Sequence, residues 1–161
     1  MKISIISDSH DNIDNLKKAI EISNNEKCEY LIHLGDIVSP FSAKILKEFN
    51  GLVKAVFGNN DGEVLGLKQI FNTFGGEIEN SPCKFELGGK KFVIMHEPYF
   101  LEELAESQEF DYIFYGHLHK TDYKNIKRTY ILNPGELGGW IDKPTFYILE
   151  TKSNDFKEYK V

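Results

Sequence analysis

Three short apolar segments, each followed by a helical pattern, occupy the first 74 residues and restrict the fold more than any other feature. Buried strands are predicted by the β-branched composition of KISIIS, YLIHL and LVKAVF. Helices are predicted for NIDNLKKAIEIS, for SPFSAKILKEF and for GLKQIFNTF, the second with Ser39 as N-cap and Pro40 at the first helical position. Because strands that alternate with helices pair in parallel, we expect a parallel sheet here.

The remaining sequence predicts a different arrangement. A hairpin turning at Gly88-Gly89 is indicated by CKFEL and KKFVIMH, a short helix by YFLEELAES and a buried strand by DYIFYGH. Short strands are predicted for DYKNI, TYILN, TFYILE and FKEYK, so we expect antiparallel pairing in the last third. Together these patterns predict an α/β fold in one domain, residues 1–161, with two mixed β-sheets stacked face to face and helices outside.

Charge and composition disfavour several classes of function. The net charge of −6 argues against general nucleic-acid binding, because counterion release needs a cationic surface, and against a polybasic membrane contact. The apolar run at the N-terminus is too short for a signal peptide or a membrane span. Cys28 and Cys83 lack CxxC spacing, which is typical of free thiols in a reducing cytosol. We therefore expect a soluble cytoplasmic protein without a membrane contact.

Polar residues follow each predicted buried strand. Ligands in α/β sheets gather outside the carboxyl ends of strands, so these residues are expected to form one cluster of oxygen and nitrogen donors. Seven donors are too many for one ordinary transition metal ion and suit two ions that share a bridging carboxylate, for which Asp36 is the natural candidate. The seven donors are Asp8, His10, Asp36, Asn59, His96, His117 and His119.

Each element of this pattern alone has an ordinary structural explanation. GNND is typical of a turn, and a lone histidine is more often a hydrogen-bonded core or surface residue than a ligand. The ordered set D-x-H, G-D, G-N-x-D, H and G-H-x-H, each at the end of a buried strand, favours a metal site. His33 lies within the second strand and is interpreted as structural. Tyr99, Phe100 and Trp140 follow motif-bearing segments, where they could line a pocket, but packing is the favoured expectation for each.

The ordered set resembles the signature of the calcineurin-like metallophosphoesterases, from Asp8 to the NPGE at residues 133–136. The likeness is greatest to small archaeal and bacterial phosphodiesterases. The resemblance implies a four-layer α/β/β/α sandwich with a dinuclear metal centre and a homodimer. It also implies two ligand groups, namely Asp8, His10, Asp36 and His119 for one metal ion and Asp36, Asn59, His96 and His117 for the other.

The activity implied by this resemblance is a metal-dependent phosphodiesterase, a phosphoric diester hydrolase acting on a small substrate through a hydroxide that bridges two divalent metal ions. The mixed donors suit Mn²⁺ first and Ni²⁺ next, with Fe²⁺, Co²⁺ or Zn²⁺ as further candidates, better than Mg²⁺. The neutral Asn59 would preserve the positive charge of the site. We interpret Asn60 as a phosphate contact and Asp61 as a residue that orients a neighbouring group.

Two departures from the family pattern leave the general acid open. Asn60 replaces the histidine of the phosphatase branch and cannot titrate at useful pH. Glu97 follows His96 where relatives often have glycine, and it and Glu136 are candidate acids by proximity, although a solvated or structural role suits both better. Two other functions remain as alternatives. A phosphomonoesterase is less favoured because of Asn60, and a catalytically silent interaction scaffold is less favoured because all seven donors are suitable. A cyclic nucleotide, a nucleotide diester and a phospholipid-derived diester all remain open as substrates.

Overall fold

The structure is a computed structural model that describes all 161 residues, with eleven β-strands and four α-helices. The strands are β1 (Lys2–Ile6), β2 (Tyr30–His33), β3 (Leu52–Val56), β4 (Glu77–Glu79), β5 (Cys83–Leu87), β6 (Lys90–Met95), β7 (Tyr112–Tyr115), β8 (Thr121–Ile126), β9 (Thr129–Pro134), β10 (Thr145–Glu150) and β11 (Asp155–Lys160). The helices are α1 (Ile13–Asn25), α2 (Pro40–Ala43), α3 (Val64–Thr73) and α4 (Leu101–Glu106), with a 3-10 helix over Lys44–Glu48.

The strands form two mixed sheets, as the sequence predicted. The first sheet has the order β11-β10-β1-β2-β3-β4, in which β1 to β4 are parallel and β10 and β11 are antiparallel to their neighbours. The second has the order β5-β6-β7-β9-β8, with β6, β7 and β9 parallel. The expected antiparallel pairing of the last third is correct for β8–β9 and β10–β11. It is wrong for the other side of β9, which pairs in parallel with β7 and leaves β8 at the sheet edge.

Side chains alternate between two faces along each strand, and both faces of each sheet are covered. In β1, Ile3 and Ile5 belong to the core between the sheets, whereas Ser4 accepts a hydrogen bond from Ser23 of α1 on the outer face. The other outer face is covered by α4, whose Ala105 shares an apolar cluster with residues of β6 and β7. The layers are therefore helices, sheet, sheet and helix, which confirms the α/β/β/α sandwich.

Local sequence signals account for several of the element boundaries. Ser39 caps α2 by accepting a hydrogen bond from the backbone N–H of Ser42, and Pro40 begins the helix. The predicted single helix after Ser39 is instead one α-helical turn continued by the 3-10 helix. Gly88 and Gly89 have φ of +58° and +73°, the geometry that a two-residue hairpin turn requires.

Candidate metal centre

All seven predicted donors lie at the carboxyl ends of parallel strands, and the structure brings them together from both sheets. The first sheet places Asp8 and His10 after β1, Asp36 after β2 and Asn59 after β3, and the second places His96 after β6 and His117 and His119 after β7.

Four of these donors converge at one point. One potential ligand atom from each of Asp8, His10, Asp36 and His119 lies within 4.8 Å of the others. The Nε2 atoms of His10 and His119 are 3.2 Å apart. The Oδ1 atom of Asp8 is 3.4 Å from Nε2 of His119 and 3.8 Å from Nε2 of His10. These spacings suit a single cation between the four groups.

A second group of donors adjoins the first through Asp36. Its Oδ2 atom lies 3.4 Å from Nε2 of His96 and 3.5 Å from Nε2 of His10, so one oxygen faces both groups. Asn59 Oδ1 lies 2.8 Å from Nε2 of His96 and 3.0 Å from Nδ1 of His117.

The residues present fit a divalent cation, as three of their side chains show. Asp8 Oδ1 is buried without any hydrogen-bond partner, although an unpaired buried carboxylate oxygen is costly. His96 donates Nδ1–H to the carbonyl of Leu34 at 2.8 Å, and His119 donates Nδ1–H to Glu136 at 2.9 Å. In both rings the Nε2 lone pair is therefore left facing the cluster, as metal ligation requires.

The charges at the centre are strongly coupled. Burial raises the pKa of Asp36, but its close contact with His96 and the hydrogen bonds from Asn60 outweigh burial and hold that pKa well below its usual range. Burial lowers the pKa of His96, but its contact with Asp36 raises that pKa above its ordinary value. The close contact with Asp8, whose Oδ1 is 3.4 Å from Nε2, raises the pKa of His119 in the same way. Carboxylates that stay ionised and stabilise positive charge on the neighbouring histidines would stabilise a metal cation at the same place.

The backbone is tightly turned beneath the site. Five predicted donors have φ between +43° and +68°, where non-glycine residues are uncommon and cluster at functional sites. Gly35, with φ of +97°, precedes Asp36. Gly58 lets the backbone of its loop lie close to Asp36, because a Cβ there would be only 2.2 Å from Oδ1 of Asp36. The five donors are Asp8, His10, Asp36, His117 and His119.

Asn60 and Asp61 both contact the Asp36 loop. Asn60 donates its backbone N–H to Oδ1 of Asp36 and its side-chain Nδ2–H to Oδ2, each at 2.8 Å. Asp61 is buried and accepts three backbone hydrogen bonds, from Asp36 at 3.0 Å and from Gly58 and Val38 at 2.7 Å. Asp61 thus ties the loop after β2 to the loop after β3.

The two glutamates considered as acids differ in their surroundings. Glu136 is fully buried and accepts hydrogen bonds from His119 and from the backbone N–H groups of residues 140–142. A solvated Glu136 is therefore excluded, and its structural role is the one supported. Glu97 is partly exposed and accepts a hydrogen bond from the hydroxyl of Tyr99.

The expectations for the remaining residues were right in one case and wrong in three. His33 is fully buried and satisfied, since its Nε2 lies 3.0 Å from the Ser9 hydroxyl and its Nδ1 accepts the N–H of Gly35. Tyr99, Phe100 and Trp140 do not pack in the core, and their exposed fractions are 46%, 72% and 74%. Their positions in loops after motif-bearing strands were the only sequence signal for this exposure.

The fold and this centre define a class of protein. A sequence model of the calcineurin-like phosphoesterase superfamily domain matches residues 1–154, and the chain belongs to that superfamily. Calcineurin-like phosphoesterases use divalent metal ions, in agreement with the cluster described above.

Particular relatives are similar over the whole chain. Phosphodiesterase MJ0936 of Methanocaldococcus jannaschii is 38% identical over 162 residues, which cover 98% of this chain and 98% of that protein. The structure of an archaeal phosphodiesterase superposes with a TM-score of 0.94 at 36% identity and covers 100% of both chains.

More distant structures share the fold. YfcE, a phosphoesterase from E. coli, has a TM-score of 0.69 at 18% identity and covers 100% of both chains. Vps29 from Entamoeba histolytica complexed with Zn²⁺ has a TM-score of 0.69 at 19% identity, over 100% of this chain and 98% of that one. At these identities the likeness establishes the architecture alone.

Proposed function

We propose that this chain is a metal-dependent phosphodiesterase whose reaction centre is the candidate metal centre. The observation that carries the proposal is the position of Asp36 Oδ2, 3.5 Å from Nε2 of His10 and 3.4 Å from Nε2 of His96. One carboxylate oxygen between two groups of donors suits a ligand shared by two cations. When bound, such a pair of ions supplies a hydroxide nucleophile near neutral pH and neutralises charge on the phosphate oxygens.

The chemistry of the donor atoms limits which metal ions the site is expected to bind. Imidazole nitrogens mixed with carboxylate and amide oxygens suit Mn²⁺ first and Ni²⁺ next, and Fe²⁺, Co²⁺ and Zn²⁺ also accept this set better than Mg²⁺ does. In this proposal one ion is held by Asp8, His10, Asp36 and His119 and the other by Asp36, Asn59, His96 and His117.

The surrounding residues of the chain bias the reaction toward diesters with good leaving groups. Asn60 holds both oxygens of Asp36 by hydrogen bonds and offers no titratable proton to a departing alkoxide. Asn59 contributes an oxygen without adding negative charge, which favours binding of the phosphate anion. The net charge of −6 fits a small substrate better than a polyanionic chain.

A metal-resolved assay tests the proposal. The protein is stripped of metal and reloaded with each ion, and hydrolysis of bis(4-nitrophenyl) phosphate is compared with that of 4-nitrophenyl phosphate. We expect faster turnover of the diester, with Mn²⁺ the most effective ion. Asp36→Asn is expected to remove activity and lower the metal stoichiometry together, while Asp155→Asn, at an exposed position of β11, leaves both unchanged.

Three outcomes would contradict parts of the proposal. Full turnover by Asp36→Asn would exclude the shared ligand. Stoichiometric metal loading without hydrolysis by any metal form would favour the interaction scaffold. Faster hydrolysis of the monoester than of the diester would favour a phosphomonoesterase.

Three further properties complete the proposal. We infer that residues 1–161 form one domain. Ile5 and Ile6 of β1 belong to the apolar clusters on the two faces of the first sheet, so one strand joins both parts of the core. A homodimer is proposed from the resemblance, and light scattering tests it. A cytoplasmic location is proposed from the free cysteines, and cell fractionation tests it. None of the helices has the length and apolar composition that a membrane crossing requires.

A further inference from the structure

Trp140, the only tryptophan of the chain, stands exposed beside the candidate metal centre. Its side chain is 74% exposed and that of the adjacent Ile141 is 75% exposed. The indole ring lies edge-on to His10, with ring centroids 6.3 Å apart and an interplanar angle of 66°. Apolar side chains beside a few polar groups are typical of small-molecule sites.

An open groove of about 720 Å³ joins the two features. Trp140, Ile141 and Val38 give it an apolar wall, and His10, His119 and Asn60 line it toward the metal centre. A molecule held by its phosphate at the centre would therefore lay its organic group along the indole.

The loop that carries Trp140 is fixed by the same buried residue that orients His119. Glu136 accepts the backbone N–H of Trp140 at 3.0 Å and that of Ile141 at 2.6 Å, in addition to its bond with His119. Beside the ring, a Cβ at Gly138 would lie 2.6 Å from Cδ1 of Trp140. The backbone that presents the indole is thus pre-organised relative to the centre, which lowers the entropic cost of binding a ligand.

We propose that Trp140 is a stacking platform for a nucleobase and that the substrate class is a small nucleotide phosphodiester. This inference rests on the proposed function and names its substrate class. Nucleobases are planar aromatic groups that biological phosphodiesters carry, and they stack on exposed aromatic side chains whatever the base. Away from the metal centre the groove lining has no lysine or arginine and includes the carboxylate of Asp11, so it disfavours a second phosphate and suits a diester with one phosphate.

Fluorescence of the single tryptophan tests the platform without any turnover. The protein is loaded with Zn²⁺, a closed-shell ion, and titrated with adenosine 5′-monophosphate or with ribose 5-phosphate, which lacks the base. We expect a saturable change in indole emission with adenosine 5′-monophosphate alone, reversed by excess inorganic phosphate. No emission change with adenosine 5′-monophosphate, or an equal change with both probes, would overturn the proposal.

Kinetics with two diesters that share a leaving group test the substrate class. Trp140→Ala is expected to raise KM about tenfold for thymidine 5′-(4-nitrophenyl phosphate), with kcat nearly unchanged, because one base–aromatic contact is lost. Its KM for methyl 4-nitrophenyl phosphate is expected to stay within about twofold, and Trp140→Phe should retain most of the affinity for the nucleotide. The matched control is Phe100→Ala, which removes another exposed aromatic ring, in a separate depression, and should alter neither substrate.

The experiments distinguish failure of the stacking proposal from failure of the proposed function. Equal losses with both diesters would mean that Trp140 only supports the centre, and no loss with either would exclude the platform. A Trp140-dependent preference for a lysophospholipid over the nucleotide diester would assign the groove to an acyl chain instead. If the wild-type protein hydrolyses neither diester with any metal, the proposed function fails, and the fluorescence titration still decides whether a base stacks on Trp140.

Discussion

Glu136 accepts a hydrogen bond from Nδ1 of His119 at 2.9 Å and is completely shielded from solvent. The bond fixes the ring proton on Nδ1 and turns Nε2 toward Asp8, 3.4 Å away. Carboxylates in this position raise the basicity of a metal-ligating histidine and hold its ring orientation. Glu136 therefore fixes the ring of one of the predicted ligands, and we expect it to support metal binding at the candidate centre.

Glu136→Gln is expected to lower the affinity for Mn²⁺ by about 10- to 100-fold, because an amide cannot accept all the bonds that the carboxylate accepts. Isothermal titration of the metal-free protein measures the effect. Glu97→Gln is the matched control, since the Glu97 side chain hydrogen-bonds with the exposed Tyr99 and with none of the predicted ligands. Unchanged affinity in Glu136→Gln would show that the bond to His119 does not support the centre.

Asp61→Asn is expected to lower the free energy of unfolding by about 2 kcal/mol, since the amide nitrogen would replace an oxygen that accepts a backbone N–H. The carboxylate accepts such bonds from Asp36, Gly58 and Val38 in a buried position. Urea unfolding of the metal-free protein measures this change, with the exposed Asp155→Asn as control. Equal midpoints for the two variants would exclude Asp61 as the tie between the loops.

Asn59→Asp is expected to tighten Mn²⁺ binding and to weaken competitive inhibition by inorganic phosphate about tenfold, since it adds a negative charge where the anion would bind. Asn59 Oδ1 lies within 3.0 Å of ring nitrogens of His96 and His117, so the new carboxylate would occupy the centre itself. Asn72→Asp adds the same charge at an exposed position of α3. If both variants alter inhibition equally, net charge rather than position is responsible.

His33 is expected to make the metal-free protein less stable in mild acid. Burial lowers the pKa of His33 to about 4, below its ordinary value of 6.5. The unfolded chain therefore binds a proton at a higher pH than the folded protein does, and stability that is complete above pH 6.5 is lost as the pH falls toward 4. The charged and titratable groups that act on His33 are Asp8, Asp36, His10 and His96.

A comparison with His33→Gln isolates this contribution from the other histidines. The stability advantage of the wild type over the variant is expected to shrink by about 2 kcal/mol between pH 7 and pH 5. Denaturant unfolding at each pH, with a chelator present, measures it. A constant difference across that range would show that His33 titrates normally in the folded state.

The proximity of these side chains could be predicted from the sequence because the signals are local. Each donor directly follows a short buried strand, and strand ends in a parallel sheet meet at one edge, so Asp8, Asp36 and Asn59 had to lie near one another. The structure joins His96 and His117 to the same cluster, although they belong to the second sheet. The identity of each donor as a ligand stays a prediction until metal binding is measured.

Features that depend on tertiary contacts were not predictable. The strand β4 contains one buried residue, Ile78, between two glutamates, and its pairing with β3 stabilises an element too short for any periodic signal. The position of the loop that carries Trp140 likewise depends on the hydrogen bonds that Glu136 accepts from the backbone of residues 140–142. Neither interaction is encoded in a local pattern.

The two sheets contribute donors to a single cluster, and a cation bound there would link the two sheets through its ligands. Its removal should loosen the carboxyl edge first, so amide exchange around Asp36 and His96 should accelerate on chelation while Phe92 and Tyr112 in the middle layer remain protected. The same side chains would then govern both the cohesion of the two halves and the chemistry between them. A substitution that damages one of these properties is accordingly expected to damage the other.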